Sequence, residues 1–424
     1  MTPRLDLTAA EQKSLSGDDG QAMQWAMETI VAAADAMDAE RLTAISSAHL
    51  VGAYHSGPAN VALLEKLLRA EARVSVPTTL NASSADLTDD AASCFRGSAG
   101  ADARKVVRML TQMGCAASLT CAPYFLKTRP QFGDRVAWAE TNAILFANSV
   151  IGARTLKTPQ YLDLAAALTG KLPEADVLTD EGRAPALCID ASVLSRWWFT
   201  DAVAFELIGY AVGGIAGSRI PYVYGLPDAI DQLMLRSMCA AMGAAGGIAM
   251  AHIEGSTPEA ENGRAHCEAA DLFSSAIKLS DVTLFNIRKT LGDSATSPVS
   301  GVFIGSPHLG LEDIARLNQQ IDDRKGALKA PLYASLGRDV YEEAARAGFI
   351  AALSARGVQF VRDTCTYYTP LADNLPLPVV TTSAKWAAYG RAGLNVDPII
   401  ATQAEAVEAA LTGEFNRDDA YWRP

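Results

Sequence analysis

The chain has 424 residues, 49% of them apolar and 20% charged, with a formal net charge of −12. That length exceeds what one hydrophobic core normally serves, so two or three lobes are expected, and the acidic balance argues against a surface for nucleic acid or anionic membrane. The opening MTPRLDLTAAEQKSLSGDD has no apolar core of the secretory kind, and the seven cysteines are widely spaced, which together point to a cytoplasmic protein with reduced thiols.

In chain order, Asp18 and Asp19 precede a helix expected over 20–37, with apolar positions at Met23, Ala26, Met27, Ile30 and Val31. A short strand is expected at 42–45, then a helix from Gly57-Pro58 to Ala72 with proline in its first turn. Residues 74–76 read as strand and PTTLNASS after them as a polar loop. A strand at 186–189, a buried helix over 194–212, a strand at 220–224 and a helix over 227–242 follow. The apolar run SMCAAMGAAGGIAMAHI (237–253) is too short and glycine-broken for a membrane span. It reads instead as a helix end, a turn and a buried strand at 247–253. Helices over 311–321 and 340–355, a strand at 358–361 and a helix over 403–411 complete the series. Such alternation predicts α/β layers with mostly parallel strands flanked by helices. Polar stretches near 82–101, 171–185 and 254–266 are the expected lobe boundaries.

No P-loop, dinucleotide fingerprint, C-x-x-C or H-E-x-x-H occurs. Chemistry must therefore come from polar segments that follow apolar ones, where ligand sites of parallel sheets form. Cys121 stands out because it sits just before Ala122-Pro123, where proline forces extended geometry, so its thiol can face a cleft. Cys365, in Asp-Thr-Cys, lies in a polar segment of this kind. Cys94, Cys115, Cys188, Cys239 and Cys267 read as core or incidental thiols. His49, His252 and His308 are equally consistent with capping or core roles, Lys385 with a solvated lysine, and Thr78, Thr79 and Asn81 with ordinary turn residues.

Several segments occur in one order: AERLTAISSAHLVG, VPTTLNA, TCAPY, VAWAETNAILFANSVIGART, HIEGSTPEA, GSPHLGLEDI, DTC and TTSAKWAAYG. In this set the chain resembles the large subunit, or catalytic domain, of aconitase X, from about Leu7 to Gly413. The resemblance implies an aconitase-like multi-lobed fold and an iron–sulfur hydro-lyase acting on a small hydroxy acid. The family's activities are dehydration of cis-3-hydroxy-L-proline and of mevalonate 5-phosphate. It further implies Cys121 and Cys365 as metal ligands. Ser47, His49, Glu140 and Lys385 become candidate catalytic groups, with Glu259 as a further carboxylate. Thr78, Thr79, Asn81, Arg154, Ser306, His308 and Ser383 become candidate substrate contacts. Family members often carry Gly-Cys-Pro-His where this chain has Gly305-Ser306-Pro307-His308. Serine is a poor iron ligand, so a [2Fe-2S] cluster is favoured, with mononuclear iron or [3Fe-4S] as alternatives and Cys115 as a conceivable extra ligand. No domain-sized segment remains for the family's small swivelling domain, so a separate small subunit is expected. A cluster-free scaffold, or a cysteine-nucleophile enzyme pairing Cys121 with His308 or His49, are the readings from other classes.

Overall fold

The computed structural model describes residues 5–422 except 55, 88–97, 294–295, 325, 370, 372–374, 395 and 419. Cys94 and much of the stretch near 82–101 lie outside the described residues. Three parallel sheets, each with its own core, organise the rest. The first comprises β1 (Leu42–Ala44), β2 (Ser47–Leu50), β3 (Thr78–Leu80), β4 (Val136–Trp138) and β5 (Lys171–Pro173). Here β3-β2-β4 form a parallel sheet, and β1 and β5 an antiparallel pair beside it. The second sheet has β6 (Leu187–Asp190), β7 (Pro221–Tyr224), β8 (His252–Ile253) and β9 (Ile277–Lys278), in the order β8-β7-β6-β9. The third region has β10 (Thr296–Pro298), β11 (Gly301–Leu309), β12 (Leu332–Leu336), β13 (Val358–Arg362), β14 (Val379–Thr381), β15 (Pro398–Ile400) and β16 (Glu414–Asn416). Its parallel order is β13-β12-β11-β14-β15, while β10 and β16 pair antiparallel.

The helices follow the sequence periodicity closely. The helix Gln21–Ala36 buries Ala22, Ala26, Met27, Ile30 and Ala34, a stripe of one helical face. The additional helix Ala9–Ser16 is set by a capping box between Thr8 and Glu11, short-range chemistry without an apolar stripe to announce it. The expected helix over 340–355 is two helices, Arg338–Arg346 and Phe349–Arg356, because Gly348 between them has φ 85°. The expected helix over 194–212 begins as a 3-10 turn, Arg196–Thr200, and becomes α-helical only at Val203–Ala216.

Two strand expectations are corrected, and one segment expected to be polar loop turns out to be strand. Residues 74–76 are not in a strand; the strand is Thr78–Leu80, inside the stretch read as a polar loop. Its two threonines are β-branched, and its register on His49 buries Thr78 and Leu80. The strand expected over 247–253 shrinks to His252–Ile253. The GSPH segment is the end of a nine-residue strand, β11, buried along its whole length at the centre of its sheet. Gly305 has φ 97°, and a Cβ there would lie 2.4 Å from the Ser335 carbonyl oxygen. Only glycine permits this approach of β11 to β12, across which the register then shifts. Nor does the stretch 254–266 separate lobes, because its helix Ala260–Ala269 connects β8 and β9 of one sheet.

A further apolar cluster holds Ala82, Cys121, Phe303, Cys365, Val379 and Trp386 and so joins the first and third regions. Phe303 stacks on Trp386 with ring centroids 5.1 Å apart. No described helix is long and apolar enough to cross a membrane.

Candidate active site

The carboxyl ends of the first and third parallel sheets deliver their side chains to this junction. From the first come His49 near the end of β2, Asn81 after β3 and Glu140 after β4. From the third come Ser306 and His308 on β11, Cys365 after β13, and Lys385 after β14. Cys121 arrives on the loop beyond the parallel bridge Thr79–Ala116, just before the 3-10 turn Pro123–Phe125.

The sulfurs of Cys121 and Cys365 lie 3.8 Å apart, although 244 positions separate them in sequence. Both side chains are buried. Together with His308 they form a group whose ligand atoms lie within 4.8 Å of one another. The spacing is far beyond the roughly 2.05 Å of a disulfide. It matches one edge of a tetrahedron around a single metal atom, since metal–sulfur bonds of about 2.3 Å place two thiolates about 3.8 Å apart. Burial opposes a thiolate at Cys121, but the hydrogen bond donated by Cys365 and the nearby His308 and Lys385 bring its pKa below the usual thiol range. Cys365, which keeps the shared proton, is pushed well up by that same bond and by burial. Two soft sulfur donors in a dry pocket suit iron.

His308 holds this arrangement from behind. Its backbone N–H donates to Cys121 Sγ at 3.2 Å. Its Nε2 lies 3.0 Å from the Thr364 carbonyl, which can only accept, so the ring hydrogen sits there. Nδ1 then accepts from the Thr120 hydroxyl at 3.3 Å. Neither His308 nor His49 has a ring nitrogen bonded to Cys121 among the described contacts, so the nucleophile–base pair of a cysteine enzyme is not formed.

Beside the sulfurs lies a buried ion pair, Lys385 Nζ to Glu140 Oε1 at 2.5 Å. Asn81 and Asn142 each donate to Glu140 at 3.2 Å. Asn142 also donates to the Cys121 carbonyl at 3.1 Å and accepts from the Tyr124 hydroxyl. Burial works against both charges. The ammonium beside it nevertheless holds Glu140 below the usual carboxylate range, and Glu140, then Cys121, hold Lys385 well above its ordinary value. Glu140 itself has φ 88°, a left-handed turn that swings its carboxylate from the end of β4 into the junction.

His49 is buried. Burial pushes its pKa down to about 4, opposed by the Glu140 charge and by the Thr120 carbonyl. Its Nδ1 lies 2.8 Å from Thr79 Oγ1, whose own hydrogen points to the Ala48 carbonyl at 3.4 Å. Nε2 has no hydrogen-bond partner among the described residues, and it presents a lone pair in the tautomer that carries the ring hydrogen on Nδ1. Ser306 Oγ and Thr364 Oγ1 are likewise buried without partners among the described residues, polar atoms a bound group in this pocket would satisfy.

Not every expected residue joins the site. Ser47 begins β2 opposite Val136, at the amino end of the sheet, two residues and about 7 Å of strand from His49. Arg154 pairs by a bridge with Arg135 at that same end and binds Asp180 and the Leu178 carbonyl. Glu259 is held by Arg183, and His252 bonds the Arg183 and Glu259 carbonyls, so both belong to the second region. Thr78 spends its hydroxyl on the Val76 carbonyl, and Ser383 caps the helix Ala384–Gly393 while donating to the Ser306 carbonyl. Cys115 lies in the core of the first region, its thiol pushed up to about 12 by burial, and is no extra ligand. Sequence reasoning passed over Asn142 and Tyr124, although both lie within the quoted WAETN and TCAPY segments.

Comparison with known proteins agrees with this architecture. Models of the aconitase X first, second and third domains match residues 4–181, 185–289 and 299–412. A cis-3-hydroxy-L-proline dehydratase of Hypocrea jecorina is 34% identical over 422 residues, covering 97% of this chain and 70% of that protein. The phosphomevalonate dehydratase large subunit of Thermococcus kodakarensis is 33% identical over 388 residues, covering 91% of this chain and 95% of that subunit. The crystal structure of holo-form aconitase X from Thermococcus kodakaraensis superposes with a TM-score of 0.84 at 30% identity, covering 96% of this chain and 100% of that one.

Proposed function

The chain belongs to the aconitase X family of hydro-lyases, and from that premise we propose that it dehydrates a small hydroxy acid, cis-3-hydroxy-L-proline, to Δ1-pyrroline-2-carboxylate. The observation that carries the reading is the pair of buried sulfurs 3.8 Å apart beside the Lys385–Glu140 ion pair. A [2Fe-2S] cluster held by Cys121 and Cys365 supplies, when bound, Lewis acidity toward the departing hydroxyl. The spacing fits both thiolates on one iron, which favours this cluster or a single iron over a three-cysteine cluster.

The residues around the sulfurs take the remaining roles. Lys385 uses one N–H on Glu140 and offers the others to the substrate carboxylate, where they stabilise the charge that develops as Cα loses its proton. Glu140, anchored by Asn81 and Asn142, fixes that ammonium. His49 Nε2 accepts the Cα proton, and the Thr120 carbonyl and Glu140 stabilise the imidazolium that results. Thr79 sets the tautomer this requires. The enamine left after loss of water tautomerises to the pyrroline.

Mevalonate 5-phosphate is the second reading, favoured by the nearly full-length match to an archaeal large subunit. A phosphate dianion in addition to the carboxylate calls for a further cation, whereas the Arg338 fork is already held by Asp363. The same match supports a separate small subunit closing the cleft. Assay of the anaerobically prepared protein with such a subunit and each substrate decides between them. Turnover of the hydroxyproline is expected; turnover of mevalonate 5-phosphate alone would reverse the assignment, and turnover of neither by iron-loaded protein would remove it.

The His49 role has a pH signature. Its folded pKa of about 4 keeps Nε2 free above that value, so the acid limb of kcat/KM, which reports the free enzyme, belongs near pH 4 rather than near the ordinary 6.5. His49→Gln is expected to lower kcat by roughly 10²–10⁴ with iron content unchanged. Because the folded imidazole binds its proton more weakly than the unfolded one, its contribution to stability is full above about pH 6.5 and is lost as pH falls toward 4. Urea titrations of wild type and His49→Gln across that window measure it.

A further inference from the structure

Cys365 meets its partner because the chain turns at Asp363. That residue has φ 63°, in the left-handed region that aspartate tolerates better than most side chains. It is fully buried, and Arg338 grips its carboxylate with two prongs, Nε to Oδ1 at 2.9 Å and Nη2 to Oδ2 at 2.5 Å. The Asp363 carbonyl accepts the Ser83 N–H at 2.7 Å. The next carbonyl, of Thr364, accepts from His308, and Cys365 then caps the 3-10 turn Thr366–Tyr368. Each residue of Asp363-Thr364-Cys365 is therefore pinned by a different element, with a guanidinium at the first.

Arg338 opens the helix that follows β12. The residue before it, Gly337, lies against the other cysteine's loop: a Cβ there would sit 2.9 Å from Thr120 Cβ and 3.0 Å from Thr120 Oγ1. One corner of the third region thus touches both cysteine loops. Gly337 abuts Thr120, the neighbour of Cys121, and Arg338 holds Asp363, two residues before Cys365. The Arg338 side chain is 34% exposed and the Asp363 side chain fully buried, so the contact runs inward from the surface to the sulfurs.

We propose that Arg338 is a positioning residue for the sulfur pair: its two-pronged grip on Asp363 sets Cys365 Sγ within reach of the metal that Cys121 shares. The importance of that spacing for catalysis rests on the reading of the pair as metal ligands; the spacing itself does not. A planar fork fixes both the position and the orientation of a carboxylate, which a point charge cannot.

The test uses the full chain with Arg338→Met and Arg338→Lys. In metal-free protein, closure of a Cys121–Cys365 disulfide by diamide is followed by peptide mass spectrometry. In the anaerobic metal-loaded protein, iron affinity and the electron paramagnetic resonance spectrum are recorded. Arg338→Met is expected to slow closure about tenfold and to weaken iron binding by about 10–100-fold, the scale of a lost outer-shell partner; the lysine variant falls between. Wild-type closure and wild-type iron affinity in Arg338→Met overturn the proposal. If that variant does not fold, unchanged closure in Arg338→Lys overturns it. Slowed closure in a chain that binds no iron even as wild type leaves the positioning role standing and sinks the metal reading instead.

Discussion

Replacing Cys121 or Cys365 by alanine is expected to abolish bound iron and dehydration while leaving the protein folded. Each substitution removes one sulfur from a pair 3.8 Å apart, and the remaining thiol alone does not hold iron in a pocket whose other neighbours are hydroxyls, a carboxylate already paired with Lys385 and a histidine with both ring nitrogens engaged. The several kcal/mol that a Lewis acid contributes convert to on the order of 10³-fold in rate. Because the two sulfurs act as a unit, the double variant is expected to be no worse than either single one. Loss of one buried sulfur costs about 1 kcal/mol of stability by its packing, too little to unfold a protein of this size. Cys115→Ala, in the core of the first region, serves as the control and keeps its iron. Iron analysis with thermal unfolding of the four proteins checks all of this together.

Lys385→Met is expected to have the second-largest effect, and on two observables. It removes the cation assigned to the substrate carboxylate, so kcat/KM falls by roughly 10²–10³, the scale of a lost oxyanion donor, while iron stays bound. It also strands Glu140, a buried carboxylate whose ionised form depends first on that ammonium. Breaking a buried pair from one side costs about 3–5 kcal/mol. Adding Glu140→Gln removes the stranded charge and is expected to recover much of that stability without recovering activity. Unchanged stability in Lys385→Met would mean that Glu140 has another way to shed its charge, and unchanged kcat/KM would remove Lys385 from the reaction. The pair also joins the first region to the third, so denaturant midpoints report on the seam between them as well as on the site.

The residues of this site were legible in unequal degree. Cys121 could be singled out because it stands before a proline turn, and Cys365 because it lies in a polar segment after an apolar one; the family resemblance then made both of them expected metal ligands. His49, Glu140 and Lys385 could be listed because each follows or ends an apolar segment, where parallel sheets gather ligands. Ser47 was drawn in by the same logic and misplaced, since it opens its strand where His49 nearly closes it; one short motif spans both ends of a four-residue strand. Arg154 failed likewise, its bridge to Arg135 placing it at the far end of the sheet. The grip of Arg338 on Asp363 joins positions 25 apart through two strands' worth of topology, and nothing local in either segment announces it. The short strand Thr78–Leu80 was hidden for a related reason: three residues carry too little periodicity to outweigh a proline before them and an Asn-Ala-Ser-Ser tail after them.

The sharpest measurement is the iron and acid-labile sulfide content of anaerobically purified wild-type protein beside Cys365→Ala. Iron and sulfide bound in the first and lost in the second is the result expected if two distant cysteines share one metal-binding pocket. Full iron retained without the Cys365 sulfur, or none taken up by the wild type on reconstitution, would contradict it.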